Sequence, residues 1–448
     1  MNKVLVRPKI LVLHALQEIS RNTTIEFTGS FGRHAQGCAV HYLNVYGLVA
    51  SRKIEASDYD LLVVTYEVLA QREWVYWPEI AKRIARISKA AKKTILLPQD
   101  DYTFSSRLDE LACTATVSTV WSPISNNVEL LYPMSSQRGV RFKVALTGYL
   151  ESAKLLEYSD YSKKFSDREI DLGQRVSKLP INFGEIAQRK AEIATELGAR
   201  LSRLGFRIDV STKPEDSFYG TRWLEFLGNT RFTVSRKGGA GIGDPLNKMS
   251  NRVAFLKLFS FVLGQATISR LSKTKGVVEG DFSAISPRLF EAAALGVCQI
   301  LEEDDYLDGA LAPWVHYVPL KSDFSNIHEI AEFMRCDEEV EVMVNNAKKA
   351  LIDSGTYSYH SFVQEVLSEE IGPMQSSEPP KVVDLDAGST FSSGEKIEEY
   401  KRSLAAAPAS KIVLDSNWRS SYLAKLEEVT RLEAIPEVLM LDWKGIHH

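Results

Sequence analysis

The chain has 448 residues, of which 44% are apolar and 25% charged, with a formal net charge of −4. These are the proportions of a globular protein long enough for two domains, and the charge offers no global attraction to nucleic acid or to an anionic bilayer. No run approaches the roughly 18 apolar residues of a membrane span, and Cys38, Cys113, Cys298 and Cys336 lie too far apart for a metal pair and read as reduced, cytoplasmic thiols.

In chain order, MNKVLVRPKILVLHAL carries an apolar run interrupted by positive charges with no small-residue cleavage site after it. It reads as a first strand, KILVLHA (9–15), rather than a signal peptide. Further short β-branched runs follow at YDLLVVTY (59–66), TILLPQ (94–99) and TVSTVWS (116–122). Amphipathic segments lie between them, such as 78–92 with Ile80, Ile84 and Ile87 on one face. Strands alternating with helices predict βαβ units and a parallel sheet covered on both faces. The pattern restarts at FKVALTG (142–148), then a helix over 184–204, RIDVST (207–212), RFTVS (231–235), a helix near 249–264, and HYVPL (316–320). A helical pattern over 326–370 closes this half.

The expected class is therefore α/β: two Rossmann-like domains facing an interdomain cleft, 1–138 and 139–372, with a break near 135–142. The Pro-, Ser- and Gly-rich stretch 373–394 reads as a linker, and 395–448 as a C-terminal extension. Ligands of such sheets sit beyond the carboxyl ends of the strands.

SPRLFEAAALGVCQILEEDDY (286–306) holds the strongest site signal. Ser286 suits a helix N-cap, Pro287 the first helical position and Gly296 the residue past the end. Arg288 and Glu291, three apart, share a face of the opening turns. A helix amino end favours an anion such as a diphosphate, Arg288 adds a bidentate donor, and Glu291 is placed to accept two hydroxyls of a ribose. The alternative is an Arg–Glu pair at the edge of a packing helix. In SRKGGAGIGD (235–244), glycines including Gly239 form a flexible loop whose backbone would approach a phosphate, flanked by Arg236 and Lys237.

This block, with HYVPLKSDFSN (316–326) after it, resembles the nucleotide-binding half of GT-B glycosyltransferases of the group 1 and spore-maturation-protein type. RNTTIEFTGSFGRHAQGCAVHYLN (21–44), LPQDDYTFSSRLDEL (97–111), FYGTRWLEFLGNTRFTVS (218–235) and SGTYSYHSFVQEV (354–366) look like the corresponding family segments, covering about 1–370. The resemblance implies a nucleotide-sugar donor on the second domain, with ribose on Glu291 and diphosphate at Ser286 and Arg288. Gly148 resembles the donor-side loop. It also implies a glycan or lipid-linked acceptor over the first domain, in surface polysaccharide or glycoconjugate assembly, with no cofactor or metal. Two positions depart from the pattern: Ser283 stands where relatives carry a second Glu, and Lys237-Gly238-Gly239-Ala240-Gly241 replaces a Glu-Ser-Gly-Ala-Ser run. A nucleotide-sugar epimerase of the same fold and a non-catalytic sugar-binding subunit are the rivals.

Acceptor chemistry needs a general base, and the candidates are Asp100, Glu67 and His34. The Asp-x-Asp at 384–386 and the acids of 302–305 are set aside as metal sites, and the histidines lack zinc spacing. Finally, 72–93 holds seven Lys/Arg against two Glu beside Trp74, Tyr76 and Trp77. It suits a peripheral helix at the inner face of the membrane, with a crossover helix packed on the sheet as the alternative.

Overall fold

The computed structural model describes residues 7–16, 22–46, 54, 59–179, 183–246, 277–373 and 376–385. The expected helix near 249–264 and the extension 395–448 lie outside them.

The first half runs β1 (Lys9–His14), α1 (Asn22–His34), β2 (Ala39–Asn44), β3 (Tyr59–Val64), α2 (Tyr66–Leu69), α3 (Trp77–Ile87), β4 (Ala91–Leu96), α4 (Ser105–Thr114), β5 (Val117–Ser122), α5 (Pro133–Gln137) and β6 (Arg141–Val144). The second runs α6 (Ser152–Tyr161), β7 (Ile170–Arg175), α7 (Glu185–Arg203), β8 (Ile208–Ser211), α8 (Thr221–Gly228), β9 (Thr230–Ser235), β10 (Gly238–Gly243), β11 (Val278–Ala284), α9 (Arg288–Ala294), β12 (Cys298–Glu302), β13 (Val318–Leu320), α10 (Ile327–Phe333) and α11 (Asp337–Lys348). The chain then closes with α12 (Tyr359–Glu370) and β14 (Lys381–Asp384).

The fold is α/β with two Rossmann-like domains. The first sheet has the order β14-β2-β1-β3-β4-β5-β6 and the second β13-β12-β9-β7-β8, and every strand pair in both is parallel. Central strands such as β1 and β3 are apolar almost throughout because helices cover both faces. Within its own half each sheet repeats the order 2-1-3-4-5, so each has a switch point where successive helices diverge to opposite faces: β1/β3 in the first and β7/β9 in the second. A crevice opens there at the carboxyl ends.

Four expectations change. Strand β6 pairs with β5, so FKVALTG is the last through-strand of the first sheet, not the start of a second domain, and the sheets divide after it rather than near 135–142. The pattern 326–370 does not all close the second domain: Tyr359, Phe362, Val363, Val366 and Leu367 of α12 pack among β1, β2, β3 and Trp121 in the first core. The stretch 373–394 contains an edge strand, since β14 pairs with β2. Fourth, 72–93 follows the alternative of a crossover helix packed on its sheet, with Lys82, Arg86, Lys89 and Lys92 left exposed. Ile80, Ile84 and Ile87 are buried, and so are two of its cations, Arg72 and Arg83. Arg72 donates to the carbonyls of Leu69, Gln99, Asp100 and Thr103, which pins the loop after β4. Among the described residues no helix is long and apolar enough to cross a membrane.

Candidate functional site

The expected flexible loop 235–244 is a strand: β10 runs antiparallel to β11. Gly239 has φ +106°, and a Cβ there would lie 2.2 Å from the Phe282 carbonyl oxygen. Close strand approach therefore requires its glycine. The ribbon fastens onto loops of the first domain. Asp244 N donates to Tyr102 O at 2.8 Å, Ile124 bridges Ala284, and Asn126 Nδ2 donates to Asp281 Oδ2 at 3.0 Å. Thr147 Oγ1 reaches Ile285 O at 2.9 Å, and a Cβ on Gly148 would meet Pro287 at 3.2 Å, so Gly148 abuts the start of α9.

That start does not have the cap its sequence suggests. Pro287 occupies the N-cap with no side-chain hydrogen bond, leaving Ser286 half-buried and uncommitted as a cap. Gly296, φ +65°, does follow the last turn. The amino end of α9 faces the β7/β9 switch point, and a cavity there is lined by Gln174, Trp223, Ser235, Arg236, Ser286 and Arg288. Its volume is about 20 Å³, room for a water molecule and far below the ~300 Å³ at which ligand clefts begin.

Two cations, Arg236 and Arg288, line this point, and a third, Lys190, is close enough to feel their charge. Arg288 donates to the Arg175 carbonyl and lies over the Trp223 ring, 4.8 Å from its centroid. Arg236 pairs with Glu302 at 3.2 Å, while its Nε is buried without a partner. Lys190, on the second turn of α7, is paired with no carboxylate among the described residues. Burial, then Arg288 and Arg236, lower its amine to about 7. Charges of one sign gathered at a helix amino end repel one another unless an anion joins them. Lys237 instead pairs with Asp304 at 3.0 Å, and Asp305 Oδ1 accepts from Gly309 N at 2.7 Å, so Asp304 and Asp305 are occupied by ion pair and turn.

Glu291 is half-buried, its carboxyl raised chiefly by burial. Trp223 Nε1 donates to its Oε2 at 2.9 Å, so one of the two expected acceptor oxygens already carries a donor, leaving Oε1 the less committed. Ser283 is buried, its hydroxyl without a hydrogen bond of good geometry among the described residues, and Asp281 accepts from Asn126 Nδ2 and from Ser283 N, both at 3.0 Å.

The three acceptor-side candidates are dispersed. Glu67 lies at the β1/β3 switch point, buried, accepting from Thr28 Oγ1 at 2.6 Å while Oε2 has no hydrogen-bond partner. Burial pushes it up to about 7. Asp100 is exposed, in the left-handed region at φ 52°, and accepts from the Tyr102 hydroxyl at 2.6 Å. His34 ends α1 at the opposite pole of the sheet, five residues before Ala39, which pairs with the first residue of β1. Its Nε2 meets Glu151 Oε2 at 3.1 Å. The structure therefore does not bring His34 to the strands' carboxyl ends.

Sequence reasoning missed Lys190 and Trp223. Lys190 sits in QRKAEI, where nothing separates it from the solvated cations of a long helix. Trp223 sits in an apolar helix face that reads as core. A scan against protein-family models finds no match, and neither does a search of curated proteins. Among solved structures, HepE of Anabaena in complex with UDP-glucose is similar over 81% of this chain and 99% of its own, at 11% identity and a TM-score of 0.43. A glycosyltransferase from Rickettsia africae is similar over 82% and 99%, at 10% identity and a TM-score of 0.40. Sucrose-phosphate synthase from Thermosynechococcus elongatus is similar over 80% and 97%, at 10% identity and a TM-score of 0.38. At that level of identity the chemistry of this chain has to be read from its own residues.

Proposed function

We propose that the protein is a glycosyltransferase of GT-B type that moves a sugar from a nucleotide-activated donor to a glycan or lipid-linked acceptor. The observation that carries this reading is that Arg236 and Arg288 line the cavity at the switch point of the second sheet, with Lys190 close enough to feel both charges and Glu291 one turn along α9 from Arg288. A diphosphate would supply the missing anion and a ribose would use the remaining oxygen of Glu291. On binding, the anion raises the Lys190 amine and holds it charged. Such a site gains rate by aligning two substrates and stabilising the departing phosphate through fixed charges. On the acceptor side Glu67 suits a general base best: its carboxyl is poised near neutrality and one oxygen is uncommitted.

A thermal-shift panel of UDP-, GDP- and CMP-sugars tests the reading. One of them is expected to raise the melting temperature, and Lys190→Met to lower that ligand's affinity by about tenfold or more through loss of a charge-assisted contact. If no nucleotide sugar shifts the transition, the reading fails. Release of free nucleoside diphosphate only when acceptor is added separates transfer from epimerisation.

A further inference from the structure

Trp223 touches both functional side chains of α9. Its indole N–H bonds Glu291 Oε2 at 2.9 Å, and its ring lies under the Arg288 guanidinium at 4.8 Å. It is buried, lines the cavity, and is braced by Phe226 at 5.8 Å between centroids. An indole nitrogen is a donor only, and a buried donor needs an acceptor. Here it takes half of a carboxylate that has no other hydrogen bond among the described residues. We propose that Trp223 is a positioning and specificity residue of the nucleotide site: by holding Oε2 it presents Oε1 alone, so that Glu291 reads one ribose hydroxyl rather than the pair.

This inference rests on the ribose reading of Glu291. It has a consequence that simple packing of the indole would not produce. Burial raises the Glu291 carboxyl, whereas the Trp223 bond and Arg288 oppose that rise; Glu26 of α1 reinforces it, and Tyr158 of α6 faces the same group. Removing the indole N–H removes one of the two opposing influences, so the carboxylate takes up its proton at higher pH. Affinity that depends on the ionised form must then begin to fall at higher pH as the solution is acidified.

The test is calorimetric titration of the full chain with UDP and GDP and with the 2′-deoxy and 3′-deoxy counterpart of each, across roughly pH 5 to 8. Wild type is expected to lose about tenfold for one deoxy position and little for the other. Trp223→Phe keeps a ring beneath Arg288 but no donor. It is expected to narrow that asymmetry and to move the acid limb of the affinity profile upward. Equal losses for both deoxy ligands in wild type would overturn the inference without any variant. So would a Trp223→Phe protein that keeps both the asymmetry and the acid limb. If neither diphosphate binds wild type, or Glu291→Gln binds like wild type, the ribose reading itself fails.

Discussion

Replacing Glu67 with Gln should stabilise the protein at alkaline pH and leave it nearly unchanged in acid. The Glu67 side chain is buried, its Oε2 without a hydrogen bond of good geometry among the described residues, and desolvation raises its carboxyl from 4.5 to about 7. Between those two values the folded state holds a proton that the unfolded state has released, so stability falls as pH rises through the interval. Above pH 7 the penalty is complete. A separation of roughly 2.5 pH units, at ~1.4 kcal/mol each, is ~3.5 kcal/mol. Gln approximates the protonated form and carries no such penalty. Unfolding free energies of wild type and Glu67→Gln, from denaturant titrations at about pH 4 to 9, should coincide at the acid end and separate by up to ~3.5 kcal/mol at the alkaline end. A difference that stays constant with pH, or a variant less stable than wild type near pH 8, would refute the reasoning. If Glu67 is also the acceptor base, the stabilised variant loses transfer while still binding donor, a trade of stability against activity.

Two further outcomes follow from the second domain. Arg168, buried, donates to the carbonyls of Lys163, Thr230, Leu295 and Gly296, closing the carboxyl end of α9 against β9. Arg168→Met orphans those acceptors and should cost about 3 kcal/mol or more in denaturant unfolding; a loss under ~1 kcal/mol would mean that water replaces the guanidinium. Gly239→Ala forces a Cβ onto the Phe282 carbonyl at a positive φ. It should destabilise by ~1–3 kcal/mol and loosen the ribbon from the first domain, which limited proteolysis within 238–284 would detect. Unchanged melting and proteolysis would show that the strands can part without cost.

Much of the frame was legible along the chain. Strand–helix alternation announced two parallel sheets, because a strand covered on both faces must be apolar throughout and the intervening helices must be amphipathic. The α9 block also carried its own signal, since a Pro near its start, alternating charges and a Gly past its end are local features. What failed were inferences about partners distant in sequence. Strand β6 looks identical whether it opens one sheet or completes another; only its pairing with β5 decides. A run of glycines reads as a loop until β11, beyond residue 277, is laid beside it.

The site divides along the same line. Sequence alone determined that Arg288 and Glu291 share the opening turns of a helix, since three-residue spacing is a property of the backbone. Tertiary structure decided what stands around them. Trp223, from another helix, donates to one carboxylate oxygen, and Lys190 comes close enough to Arg236 and Arg288 to feel their charge, with no carboxylate partner among the described residues. His34, an equally plausible titrating side chain on paper, falls at the opposite pole of its sheet. Local chemistry is set by neighbours in the chain, whereas burial, pairing and the gathering of like charges depend on residues that only folding brings together.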